Sequence, residues 1–161
     1  MNQTPLVKLH VDLPNHWSVG GESMWAKPVG ENLYQLKNIP FFSYGLNYND
    51  IVKAIAKNEG FKPEILEVVE ASGHQTLRVI FTDNKGKKEH ISVIESIRTE
   101  HIGYEGWDDE QFTLNITPSG NYDEFFDKLD ELESKGILSF ETCEQCIEGS
   151  FDAVPEDAEN G

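Results

Sequence analysis

The chain has 161 residues, of which 38% are hydrophobic and 26% charged, and carries a formal net charge of −16. That length suits one domain or two small subdomains, and 17 aromatic residues set in short periodic apolar runs exclude a disordered acidic chain. No run approaches the ~18 apolar residues of a membrane span, and "MNQTPLVKLHVDLP" has no basic region leading into an apolar one, so a soluble cytoplasmic protein without a membrane role is expected.

In chain order, "LVKLHVDL" (6–13) alternates apolar and polar residues as a half-buried strand does. "ESMWAKPVG" and "NLYQLKNIPFF" flank the turn-like "GEN" at 30–32, which predicts a hairpin. The turn-rich "YGLNYND" leads into "IVKAIAKNEG", readable as a strand or a short helix, and "PEILEVVEAS" is a further strand. Short strands at this density predict a β-rich first subdomain, residues 1–71, built as a small bent sheet or partial barrel.

From residue 72 the rhythm changes. "QTLRVIFTD" reads as a strand, "KKEHISVIESIRTE" as a helix with Ile91, Ile94 and Ile97 or Arg98 on successive turns, and "HIGYEGW" and "EQFTLNITP" as strands joined around "WDD". "YDEFFDKLDELESKG" is a second helix, with Asn121 as N-cap, Glu124 three residues on and Gly136 as the stop; "ILSFET" closes as a strand. The β-α-β-β-α-β order over residues 72–142 predicts a ferredoxin-like half, making the whole chain α+β. Residues 143–161 read as an acidic, disordered tail.

The charge is lopsided. Residues 1–98 carry 11 basic and 11 acidic side chains, whereas residues 99–161 set Lys128 and Lys135 against 18 acids. One acidic half beside a neutral one points to a surface that meets something basic; the plainer reading is a solvated face with an acidic tail. Direct nucleic-acid binding is disfavoured, because phosphate neutralisation needs a basic patch and "NKGKK" (84–88) reads as a strand-to-helix loop. On the second helix Tyr122, Phe125, Phe126, Leu129 and Leu132 share one face, leaving Asp123, Asp127, Asp130, Glu131 and Glu133 outward. Like charges at this spacing repel, and Glu131 and Glu133 lie near the helix C-terminus where the dipole opposes them, so local stability alone does not favour the pattern.

Catalytic constellations are thin: no Walker loop, GxSxG or HExxH occurs. Cys143 and Cys146 form a CxxC spacing, but the five histidines are scattered and Glu141, Glu144 and Glu148 disfavour a thiolate. Two reduced cysteines, with no metal and no cofactor, are expected. The one tight polar cluster inside a strand pattern is "SGHQTLR" (72–78), where Gly73 permits a bulge or turn and His74 and Arg78 can either fix structure or face an anionic ligand.

At these residues the chain resembles the bacterial family called domain of unknown function 4265. The resemblance rests on Glu22 and Trp25; Asn38, Ile39, Pro40, Phe41 and Phe42; Gly45, Asp50, Ile51 and Val52; and Ser72, Gly73, His74, Thr76, Leu77 and Arg78, and it spans about residues 5–142. It implies small, soluble, stand-alone bacterial proteins with no established reaction. Trp25, Ile39, Phe41 and Phe42 are expected to supply apolar mass to the first half, Pro40 a bend, and Asp50 a turn that bonds backbone N–H groups.

The leading functional expectation is a non-enzymatic binding protein of immunity or antitoxin type. It neutralises a basic toxin domain such as a nuclease through Asp108, Asp109, Asp123, Asp127, Asp130 and Glu131. The alternative is a small-ligand regulatory or sensor module whose pocket lies near His74 and Arg78; an enzyme using those two residues is a third reading.

Overall fold

The computed structural model describes residues 5–13, 20–144 and 151. The chain divides into two compact units, one formed by Met1–Ser72 with Cys143–Gly161 and the other by Gly73–Thr142. Within the described residues the architecture is α+β, with two sheets and two helices.

In the first unit β1 (Val7–Asp12), β2 (Gly21–Gly30), β3 (Leu33–Leu36), β4 (Ile51–Ala56) and β5 (Pro63–Glu70) form a closed barrel in that order. Consecutive strands pair antiparallel, and β5 returns to β1 in parallel at His10↔Glu64. Strand alternation fills the interior: Leu9 and Val11 from β1, Met24 and Ala26 from β2, Val52 and Ala54 from β4 are buried with Leu13, Leu36, Leu46 and Ile65. The β2–β3 turn is the expected hairpin, with Asn32 at φ 58°, a conformation its short polar side chain tolerates. Residues 51–56 resolve to strand rather than helix.

Trp25 corrects an expectation. Lying between the inward Met24 and Ala26, it points out of the barrel, is 43% exposed, and holds the Lys8 ammonium 4.7 Å from its ring centroid. Of the other expected apolar residues, Ile39 is buried and Phe41 and Phe42 are half-buried. Cys143 and Phe151 also depart from the expected loose tail. The Cys143 carbonyl accepts the Gly45 N–H (2.9 Å), the Phe151 N–H donates to the Tyr44 carbonyl (3.2 Å), and both side chains are wholly or partly buried, as an apolar thiol and a phenyl ring favour. Cys146 and the rest of the tail, 145–150 and 152–161, lie outside the described residues.

In the second unit β6 (Gln75–Phe81), α1 (Lys87–Ile97), β7 (Ile102–Gly106), β8 (Gln111–Ile116), α2 (Tyr122–Ser134) and β9 (Leu138–Thr142) follow in chain order. The four strands form one sheet ordered β7-β8-β6-β9, every neighbouring pair antiparallel. Leu77, Val79 and Phe81 alternate inward from β6, and Phe112, Leu114 and Ile116 from β8; Ile94 of α1 and Phe125 and Leu129 of α2 join the same cluster. The other parity of the same strands carries Thr76, Arg78, Thr113 and Asn115, which are polar yet also buried.

Candidate functional site

α2 starts where its sequence dictates. The Asn121 side chain accepts the Glu124 N–H at 3.0 Å, satisfying one of the unpaired donors of the first turn, and Gly136 at φ 75° ends the helix with its N–H on the Glu133 carbonyl. Phe125 and Leu129 are buried, Tyr122 and Leu132 pack beside them, and Phe126 meets Phe140 of β9 edge-on at 5.0 Å. The greasy face is therefore committed to the core. Asp123, Glu124, Asp127, Asp130, Glu131 and Glu133 are all exposed.

These acids are not equivalent. Glu131 pairs with Lys135 at 3.0 Å, Glu124 with Lys128 at 3.7 Å, and Glu133 accepts the Phe140 N–H at 3.1 Å. Asp123, Asp127 and Asp130 make no ion pair among the described residues. Their i, i+4, i+7 spacing places them in one line along the helix.

Asp108 and Asp109 occupy the β7–β8 tip, where both are exposed. One Asp108 oxygen accepts the N–H groups of Glu110 (2.9 Å) and Gln111 (2.7 Å), so this carboxylate also builds its own turn. The Asp109 carbonyl accepts from His90 Nδ1 at 2.7 Å. Register places Gln111, Ile80 and Ser139 in one row of the sheet. The tip thus lies at the end of the sheet where α2 finishes, and Asp123 lies at the opposite end.

His74 and Arg78 are brought to one face of the sheet. His74 Nδ1 lies 3.1 Å from Asn115 Oδ1, and Arg78 Nε lies 3.7 Å from Glu141 Oε1, with the Arg78 side chain 8% exposed. Gly73 bends the backbone with φ at 87°. A buried guanidinium already facing a carboxylate is a supporting element first; an anionic ligand would compete with Glu141.

Three constellations were not visible as sites in the sequence. The first gathers the family-like residues of the barrel unit. Glu22 accepts the backbone N–H groups of Phe41 (2.7 Å), Phe42 (3.1 Å) and Ser43 (2.9 Å) and the Ser43 hydroxyl (2.6 Å). Asn38 accepts the Trp25 N–H at 2.6 Å, and buried Asp50 accepts from Asn47 N–H and Ser72 N–H, each 2.9 Å. Glu22, Trp25, Asn38, Asp50 and Ser72 thus tie one loop onto the barrel.

The second is a latch on the β1–β5 closure. Asp12 meets His10 Nε2 at 2.8 Å and Lys57 Nζ at 3.5 Å, while Lys57 also reaches Glu64 at 3.2 Å. Hydrogen bonding with Glu64 and His10, with Lys57 near, holds the Asp12 carboxyl down at about 2; the same Asp12 contact and burial push Glu64 up. The third is His90, fully buried beneath the β7–β8 tip with Asp83 at 2.7 Å from Nε2. Its place beside Ile91 and Ile94 gave only a helical row. Among the described residues no group of three or more His, Cys, Asp or Glu could hold a metal ion, and no helix is long and apolar enough to cross a membrane.

The five-stranded barrel of the first unit spends polar residues such as Glu22, Asn38 and Asp50 on tying loops, and the second unit is a four-stranded sheet with two helices. The chain belongs to the family described as "Domain of unknown function (DUF4265)", whose model matches residues 22–140. Its fold is similar to that of a solved hypothetical protein from Neisseria gonorrhoeae, with a TM-score of 0.71 and 20% identity over 95% of this chain and 100% of that one. At that identity the likeness concerns the fold alone. The curated proteins contain no match to the chain.

Proposed function

We propose that the protein is a non-enzymatic binding protein whose second unit docks a basic protein partner through its acidic surface. The most concrete form of this reading is an immunity or antitoxin-type protein that neutralises a basic toxin domain in the cytoplasm of the producing cell. The observation that carries it is the exposed line Asp123, Asp127 and Asp130, without ion pairs among the described residues, on a helix whose other face is locked into the core. Such a surface presents charge at fixed positions, which steers association with a basic groove and costs little ordering entropy. We read the same unit as ferredoxin-like in its finer topology; the strand order β7-β8-β6-β9, with antiparallel pairs and a helix after β6 and after β8, supports that reading.

The test is capture from native lysate at low and moderate salt with the tagged protein and with the variant Asp123→Lys/Asp127→Lys/Asp130→Lys, followed by reconstitution of the retained basic protein. Association slowed at least tenfold in the variant, with a shallower salt dependence, supports the assignment. A reconstituted partner that binds the variant as tightly as the wild type sinks it. The arrangement around Arg78 gives the small-ligand reading no comparable support.

A further inference from the structure

His90 is the one buried titratable ring in the second unit, and its surroundings restrict its protonation. The ring stacks on Phe81 (centroids 4.1 Å apart, planes 12° from parallel) and is closed off from solvent. Nδ1 is 2.7 Å from the Asp109 carbonyl oxygen, which can only accept, so Nδ1 carries a proton. Nε2 is 2.7 Å from Asp83 Oδ1, and a carboxylate there also only accepts. Both nitrogens therefore donate, which makes the ring an imidazolium facing an aspartate.

The two partners come from different segments. Asp83 lies between β6 and α1, and Asp109 lies in the β7–β8 tip. His90 itself sits in the first turn of α1, so one ring joins three pieces of chain. We propose that His90 is a buried imidazolium bolt that fixes the β7–β8 tip to the start of α1, and that the tip loosens when the ring loses a proton as pH rises. In the neutral ring a bare Nε2 lone pair would oppose the Asp83 carboxylate, which is partly exposed and can turn to water.

The charged groups around the ring agree with this. Burial works against the charge, but the Asp109 carbonyl, the Asp83 carboxylate and the nearby Glu110 overturn it and leave His90 titrating above its ordinary range. Asp83 is held below its ordinary range, first by the hydrogen bond from His90 and further by the Lys85 N–H and charge. On α1 itself Lys87, Lys88 and Glu89 are exposed. A raised folded value for His90 means its contribution is complete below the ordinary His range and is lost as pH climbs through the folded value; a depressed Asp83 means its contribution is lost as pH falls through that lower value. The bolt is closed between the two. The inference stands on this geometry whether or not the tip binds a partner, although Asp108 and Asp109 would be positioned by it.

The test uses the full chain labelled with 15N. Long-range 1H–15N spectra report both His90 nitrogens from pH 5 to 9, and amide exchange, corrected for its intrinsic pH dependence, reports the Glu110 and Gln111 N–H groups that build the tip. The expected result is a doubly protonated ring at pH 6.5 and tip protection that falls by about tenfold along the His90 titration. Asp83→Asn, a change on a partly exposed side chain, should lower the pH of both events together, and His90→Gln should remove the pH dependence. A ring with one bare nitrogen at pH 6.5, or tip protection that ignores the ring's titration in both wild type and Asp83→Asn, overturns the proposal.

Discussion

Glu22 and Ser43 are joined twice through one carboxylate oxygen, which accepts the Ser43 N–H at 2.9 Å and the Ser43 hydroxyl at 2.6 Å. Phe41 and Phe42 N–H groups complete the set. Hydrogen bonds to a charged acceptor contribute more than neutral ones, and removing the acceptor leaves several donors to be resatisfied at once. Glu22→Ala should therefore cost about 3 kcal/mol, and Glu22→Gln about half as much because one oxygen remains. Urea unfolding with an unchanged slope is the measurement; a loss below 1 kcal/mol for the alanine variant would show that the loop is held by other contacts.

The two faces of α2 should respond oppositely to substitution. Leu129 is wholly buried, so Leu129→Ala should cost about 3 kcal/mol in transfer and cavity terms. Asp123→Asn/Asp127→Asn/Asp130→Asn removes mutual repulsion along the helix and, at Asp123, a favourable interaction with the N-terminus, which should leave stability within about 0.5 kcal/mol of wild type. A triple variant that loses more than about 1.5 kcal/mol would make these acids structural and remove the main argument for a partner surface.

The sequence was readable where interactions are local. Asn121, Asn32 and Gly136 marked a cap, a turn and a stop because each acts on neighbours a few residues away, and Leu77, Val79 and Phe81 announced a strand by alternation. It was unreadable where partners are distant. Parallel closure of β5 on β1 pairs His10 with Glu64, residues on adjacent strands that lie far apart in the sequence. Trp25 looked like core because it is large, yet alternation with Met24 and Ala26 sends it outward. The acidic helix was visible as a charge pattern, with Glu124–Lys128 and Glu131–Lys135 at local i, i+4 spacing, but the Glu133 bond from the Phe140 N–H reaches into β9 and the pattern does not show it. His90 was hidden by its neighbours, since a polar residue at the edge of an Ile row reads as surface.

Arg78 offers a direct contrast between a supporting and a ligand-binding role. Its guanidinium is buried on the polar parity of β6, opposite Thr113 and Glu141. Arg78→Ala removes volume and charge together and should cost about 3 kcal/mol, with no anion restoring the loss. Thermal denaturation in the presence and absence of phosphate and small carboxylates checks this. A well-folded variant that has lost an anion-dependent stabilisation seen in the wild type would restore the small-ligand reading.

The barrel latch should show itself at acid pH. Asp12 is depressed to about 2 by its hydrogen bonds with Glu64 and His10 and by Lys57, so its contribution is present above the ordinary Asp range and is lost as pH falls towards 2. Glu64 is raised by the Asp12 contact and by burial, so its contribution has the opposite sign and is lost as pH rises through its own value. Between the two, the pair shares one proton and keeps a single negative charge for Lys57. Gly21 is part of the arrangement, because a Cβ there would stand 2.5 Å from His10 Cε1 and push the ring off Asp12. Carboxyl carbon shifts followed by NMR from pH 2 to 7 should show, in the wild type, a Glu64 step above its ordinary range and an Asp12 step that is only partly complete at the acid end. In Asp12→Asn the Glu64 step should move down towards the ordinary Glu range, and in Gly21→Ala the separation should narrow as the His10 contact is lost. Two independent titrations at ordinary carboxyl values in the wild type would mean that the β1–β5 closure holds without this latch.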